Sequence, residues 1–320
     1  MHIRILTAAD VRAALSMTEA IDAVARAYSQ LSAGKATMPL RSRFHTEKGV
    51  TLLMPAHLHD SGDFAVKIVS VYAGNPKLGL PTVAATVLAM DPQTGLPLAL
   101  MEGDSLTALR TGAAGGVAAR YLARADARTV ALFGAGVQAR SQLRAAMAVR
   151  NIERVWIVDP FATAAQRLAD DISGWTDPPA VTLADSPQTA VAQADIVLAA
   201  TTATTPLFDG NDLKPGTHVT GVGSFTPQMQ EIDATTIRRA RVVVDQRDAA
   251  MAEAGDIIIG KAVIDAEIGE IINGEKPGRQ SDEEITFFKS VGLAVQDAVT
   301  AAAVLKAAEK KGLGTVIEMS

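Results

Sequence analysis

The chain contains no cysteine. That excludes disulfides, thiolate nucleophiles and cysteine-based metal sites, and it fits a cytoplasmic protein. There is no run of about 18 uncharged apolar residues, so no membrane span is expected. The first ten residues include Arg4 and Asp10 and hold no apolar core of the signal-peptide kind. The net charge is −5 with no dense basic tract, which speaks against nucleic acid as a partner. An HExxH helix, an acidic EF-hand loop and a serine nucleophile elbow are all missing. No metal site and no covalent hydrolysis are therefore expected. His57 and His59 bracket Leu58 and read as surface or loop histidines rather than ligands.

What is present is ordinary globular material: 320 residues, 48% hydrophobic and 20% charged, enough for about two domains. Ser16 to Leu31 reads as an amphipathic helix, with Ser16 and Glu19 at the spacing of a capping box. Short β-like runs follow at Val50–Met54, Phe64–Val71, Thr82–Met90 and Leu96–Met101. Turn signals such as Ser61-Gly-Asp63 and Gly74-Asn-Pro76 separate them, as in an antiparallel sheet. A helix rich in Ala and Gly runs from about Ser105 to Ala123.

From Thr129 onward strands and helices alternate. Strands are expected at Val130–Phe133, Val155–Val158, Ile196–Ala200, His218–Val222 and Val242–Val244, with helices to Val149 and to about Ile172. That alternation predicts an α/β fold with a doubly wound parallel sheet. A last helix, about Gly292 to Lys310, has a broad apolar face fit to return onto the N-terminal domain. The expected division is residues 1–123, completed by 293–320, as a substrate-binding and dimerisation domain of α+β type. Residues 124–292 then form the dinucleotide-binding domain.

The strongest local signal is Thr129-Val-Ala-Leu-Phe-Gly134-Ala-Gly136-Val-Gln-Ala139. Gly134 permits a tight turn after a strand, Gly136 lets backbone approach a pyrophosphate, and Ala139 allows close helix–strand packing. Phosphates would sit at the helix N-terminus beside Val137 and Gln138, where free N–H groups and the dipole favour negative charge. A second strand, Arg154-Val-Trp-Ile-Val158, ends in Asp159, 20 residues beyond Ala139. An acid there suits the ribose hydroxyls of NAD and repels a 2′-phosphate. NAD(H) is expected, with NADP(H) as the alternative.

Lys67 lies inside the apolar run Phe64-Ala-Val-Lys-Ile-Val69. Two readings stand: a lysine on the solvent side of the sheet, or a partly buried one whose lowered pKa suits proton transfer. Arg41 and Arg43 flank a loop, and Arg110 sits among small and apolar neighbours in a helix. Each is either a structural ion pair or a fork for a substrate carboxylate.

Together these segments carry a pattern. Val50-Thr-Leu-Leu-Met-Pro-Ala56, the Lys67 strand, Leu106-Thr-Ala-Leu-Arg-Thr111, the Gly134–Gly136 loop, and Phe288-Lys-Ser-Val-Gly-Leu293 followed by Gln296-Asp297 resemble the ornithine cyclodeaminase/mu-crystallin family. The likeness runs in order over essentially the whole chain. It implies a homodimer that reduces imines or oxidises amino acids with a nicotinamide cofactor. By position it implies Lys67 as the catalytic lysine, and Arg41 and Arg110, with Lys67, as the grip on the substrate. Thr82 and Thr111 would lie near the cofactor, with Thr201, Thr202, Val222, Gly223 and Ser290 along its nicotinamide half.

Two departures narrow the substrate. The resemblance implies a glutamate for the distal amine of ornithine where this chain has Leu52. It also implies an aspartate, for cyclisation, where this chain has Phe225. An unpaired ammonium in an apolar pocket would cost several kcal/mol. A small cyclic ketimine suits these residues better, and the site residues resemble those of the family's Δ1-pyrroline-2-carboxylate reductases. The expected mechanism is carboxylate binding by Arg41 and Arg110, hydride transfer to the imine carbon, and proton transfer through Lys67. Ornithine cyclodeamination, alanine dehydrogenase-type chemistry and a nucleotide-binding protein without turnover are the alternatives.

Overall fold

A computed structural model describes residues 2–319. The chain forms two compact units: Met1–Arg110 with Leu293–Ser320, and Thr111–Gly292. Among the described residues no helix is long and apolar enough to cross a membrane.

The first unit is built on a mixed sheet. In spatial order its strands are Thr315–Glu318, His2–Leu6, Pro97–Glu102, Val83–Met90, Phe64–Val71, Val50–Leu58 and Ala36–Thr37, with Ser42–His45 also pairing with Val50–Leu58. The four long central strands are antiparallel, as their spacing and turns predict. Period-two alternation sends Met54, Ala56, Ala65, Lys67, Val69, Val87, Ala89, Ala99 and Met101 to one buried face. Helices Met17–Ser32 and Ala294–Lys311 pack there. The Ser16–Glu19 capping box forms: Glu19 accepts the Ser16 N–H at 2.9 Å, and the Ser16 hydroxyl accepts the Glu19 N–H at 3.3 Å. Strands His2–Leu6 and Thr315–Glu318 were not expected. They form one sheet edge, and Thr315–Glu318 is exposed throughout, so no hydrophobic alternation marks it.

The second unit holds an all-parallel eight-stranded sheet in the order Ala180–Leu183, Arg154–Val158, Thr129–Phe133, Ile196–Ala199, His218–Gly221, Ile285–Lys289, Ala240–Val244, Ala266–Glu267. The first strand in sequence, Thr129–Phe133, lies inside it. The chain winds outward one way, then crosses to Ile196–Ala199 and winds the other way. The switch point, where such sheets bind ligands, falls between those two strands. Ile285–Lys289 escapes a periodicity argument because all five residues are buried.

The division of the chain falls between Arg110 and Thr111, inside the helix Gly103–Leu122, and not at residue 123. The reason is packing. Ala119 and Ala123 belong to the same core as Val130, Leu132 and Leu143. Gly112 and Gly115 let this helix lie against helix Val137–Val149: a Cβ on Gly112 would meet Ser141 Oγ at 2.2 Å and its carbonyl oxygen at 2.7 Å. Gln142 Nε2 then reaches the Thr111 carbonyl at 2.7 Å. Alanine would gain ~1 kcal/mol of helix propensity at such a site. Here overpacking should outweigh it, so Gly112→Ala is expected to lower stability in urea by about 1–3 kcal/mol.

Candidate active site

Three charged side chains meet on the buried face of the first unit. Lys67 stands in the middle of strand Phe64–Val71, opposite Met54 on one side and Val87 on the other. Leu52, Val69 and Ala85 form the next row on the same face. Lys67 is only 3% exposed, so the solvent-facing reading fails. Helix Ala294–Lys311 supplies the counter-ion: Lys67 Nζ is 3.3 Å from Asp297 Oδ1. Arg110 Nε donates to the same oxygen at 3.0 Å, and Arg110 Nη1 donates to Gln296 Oε1 at 3.0 Å. Gln296 is fixed in turn by the Tyr28 hydroxyl, which its Nε2 reaches at 2.6 Å, and by the Leu293 N–H at 2.7 Å.

The electrostatics of this cluster are unbalanced. Two buried cations share one carboxylate, and the charge of half-buried Arg41 also acts on Lys67. Burial pushes the Lys67 ammonium down to about 8. Asp297 opposes the shift, and Arg110 and Arg41 add to it. Asp297 Oδ2 is buried without a hydrogen-bond partner. A cluster like this has room in its charge balance for one anion, and a lysine near 8 exchanges protons at neutral pH.

Arg110 thus does make an ion pair, as the structural reading of it required, and that pair aims it beside Lys67. Arg43 is exposed on strand Ser42–His45, opposite Leu52. Thr82 is exposed just ahead of strand Val83–Met90, and its carbonyl accepts the Tyr72 N–H at 2.8 Å. Leu52 is half-buried. His57 lies within strand Val50–Leu58, one residue before its end, and its ring lies 5.3 Å from that of His59.

In the second unit the residues marked for the cofactor gather at one edge of the parallel sheet. Gly134, Asp159, Thr201, Thr202, Val222, Gly223 and Ser290 each follow the carboxyl end of a strand. Gly134 has φ +96°, and its N–H reaches the Val158 carbonyl at 2.9 Å. Gly136 is the N-cap of helix Val137–Val149. No side chain caps it, and a Cβ there would meet nothing within 4 Å. The free N–H groups beside Val137 and Gln138, and the open space over Gly136, fit a pyrophosphate-bearing cofactor. Asp159 Oδ1 accepts the Phe161 N–H at 2.8 Å. Phe225 is half exposed on the loop after strand His218–Gly221. Thr111 is buried, with its carbonyl engaged by Gln142.

Carboxylates that the sequence did not single out organise this edge. Asp245 accepts the Ser290 hydroxyl at 2.9 Å and the N–H groups of Val291 and Gly292 at 2.9 and 3.1 Å. Burial raises its pKa, and these donors hold it back. Glu231 is raised for the same reason and is opposed by the Lys289 charge.

A sequence profile of the ornithine cyclodeaminase/mu-crystallin family matches residues 1–312. This chain belongs to that family. It is 40% identical to a Δ1-pyrroline-2-carboxylate reductase of Bacillus cereus over 98% of this chain and 99% of that one. The structure of Thermococcus litoralis Δ1-pyrroline-2-carboxylate reductase, in complex with NADH and L-proline, superposes with a TM-score of 0.92 at 43% identity, covering 98% and 99% of the two chains. An archaeal alanine dehydrogenase dimer with bound NAD gives 0.93 at 37% identity over the full length of both. The expectation drawn from the LTALRT and FKSVGL blocks is borne out at the level of the family. Asp297, just after the FKSVGL block, is the side chain that this structure adds to Lys67 and Arg110.

Removing the Asp297 charge removes the main force holding the Lys67 pKa up. Asp297→Asn should move the alkaline limb of the reductive pH profile toward lower pH by about one unit or more, read from kcat/KM between pH 6 and 10. An unmoved limb would separate Asp297 from Lys67.

Proposed function

We propose that this protein is a nicotinamide-dependent imine reductase. Its substrate is a small cyclic ketimine, Δ1-pyrroline-2-carboxylate or Δ1-piperideine-2-carboxylate, reduced to L-proline or L-pipecolate. The observation that carries the reading is the buried Lys67–Arg110–Asp297 cluster with an excess of positive charge, bordered by Leu52, Met54 and Val69. One carboxylate balances it, and an apolar ring suits the wall. A distal ammonium, as in ornithine, finds no acid at Leu52 or at Phe225.

In this reading Arg110 and Arg41 bind the substrate carboxylate, Arg110 held in aim by Asp297 and Gln296. Gly134, Gly136, Val137 and Gln138 hold the cofactor phosphates, Asp159 the adenosine ribose, and Thr201, Thr202, Val222, Gly223 and Ser290 the nicotinamide half. Thr82 and Thr111 lie near the cofactor. Bound NADH supplies a hydride to the imine carbon. The Lys67 ammonium, directly or through a water, gives the proton that the ring nitrogen takes up as the C=N bond becomes CH–NH. Its lowered pKa makes that proton available near neutrality. Asp159, with no arginine before Arg167 to receive a 2′-phosphate, favours NAD(H) over NADP(H).

A second reading keeps the same machinery. The likeness to the archaeal alanine dehydrogenase supports an open-chain imine formed from pyruvate and ammonia, which carries the same carboxylate and C=N. We also propose a homodimer in the cytoplasm. Leu40, Phe44, Leu78, Leu80 and Val83 are exposed on the first unit, an apolar set that a second copy would cover.

The test is NADH oxidation with the cyclic ketimine, with pyruvate plus ammonia, and with NAD+ and ornithine, for wild type and Lys67→Ala. The cyclic ketimine should give the highest kcat/KM. Lys67→Ala should lose about 10²-fold or more in kcat while keeping its affinity for NADH. Wild-type turnover in that variant would refute the role of Lys67.

A further inference from the structure

We propose that Glu231 is the positioning residue for the nicotinamide end of the cofactor, acting by tying two adjacent strand ends into one rigid ledge. The inference rests on the cofactor reading above and extends it to a residue outside the strand-end pattern. Glu231 is fully buried in the segment between strand His218–Gly221 and helix Ala234–Arg239. One carboxylate oxygen accepts the Thr201 N–H at 2.6 Å and the Thr201 hydroxyl at 2.8 Å. The other accepts the Gly223 N–H at 2.7 Å. Thr201 and Gly223 follow neighbouring strands, Ile196–Ala199 and His218–Gly221, so a single side chain fixes both turns.

The backbone of Glu231 is itself held from behind. Asp256 Oδ1 accepts the Glu231 N–H at 2.7 Å, and Asp256 Oδ2 forms a fully buried ion pair with Lys289 at 3.1 Å. The contacts are close enough to explain the glycine. A Cβ on residue 223 would meet the Thr201 carbonyl oxygen at 2.1 Å and Glu231 Oε1 at 2.4 Å. Two buried acids against one lysine would be costly, and the three donors from Thr201 and Gly223 make up the difference. Such a network has one low-energy arrangement and therefore fixes the shape of the ledge.

The phosphate and adenosine contacts hang on other elements, the Gly134–Gly136 turn and Asp159. Loosening the ledge should therefore weaken one half of the cofactor and spare the other. The experiment is calorimetric titration of wild type and Glu231→Gln with NADH and with ADP-ribose, which lacks the nicotinamide. In Glu231→Gln the amide nitrogen must oppose an N–H donor. NADH should bind about tenfold more weakly or worse, with ADP-ribose unchanged. Equal loss for both ligands, or no loss for either, overturns the proposal. If Glu231→Gln does not fold, Thr201→Val removes one donor with little change of shape and is read by the same two ligands, with the same selective loss expected and the same outcomes overturning it. Wild type that binds ADP-ribose as tightly as NADH overturns both this proposal and the assignment of the ledge to the nicotinamide. Discrimination by wild type that survives in the variant overturns the role of Glu231 alone.

Discussion

The Asp297 carboxylate sits between two buried cations, and much of the first unit is arranged around keeping it there. It comes from a helix that returns, late in the chain, to the sheet carrying Lys67. Removing a charge from water is expensive, and the cost is met only where partners are close and well aimed. Lys67 and Arg110 meet that condition for one oxygen of Asp297. Gln296, one residue earlier on the same helix, fixes the second edge of the Arg110 fork and is fixed by Tyr28. A lysine buried without such a carboxylate would discharge. The observed set leaves Lys67 poised near 8 and leaves positive charge to spare, the combination that recognition of a small imino acid followed by protonation needs.

The second unit follows a different rule. Its all-parallel sheet puts the carboxyl ends of its strands along one edge, so residues far apart in sequence become neighbours. The helix N-terminus at Gly136 has no side-chain cap, and buried carboxylates at Glu231 and Asp245 rigidify the turns farther along. The acids that touch backbone here work as fasteners, a role that leaves no trace in a motif.

The contrast between those rules explains what could be read from sequence. Strand–helix alternation and the glycine loop announced the doubly wound sheet because their signals are local and periodic. The central antiparallel strands were legible for the same reason. Lys67 was ambiguous because its strand is apolar on both faces: Ala65 and Val69 on one, Val66 and Ile68 on the other, so alternation does not say which face is covered. Asp297 and Gln296 were visible as part of a family pattern, but their partner at Arg110 depends on a long-range contact. Glu231 and Asp256 are isolated acids in irregular segments, and only the folded chain brings them to Thr201, Gly223 and Lys289. The division within helix Gly103–Leu122 was missed because composition changes at the end of that helix while the packing changes in its middle.

Lysine side-chain NMR titration, with 13C at the ε-carbon, tests the central charge arrangement most directly. One lysine should titrate near 8, well below the ordinary 10.5, and its signal should vanish from the Lys67→Arg spectrum. If every lysine titrates near the ordinary value, or if the low one survives that substitution, the buried cluster does not poise Lys67 for proton transfer.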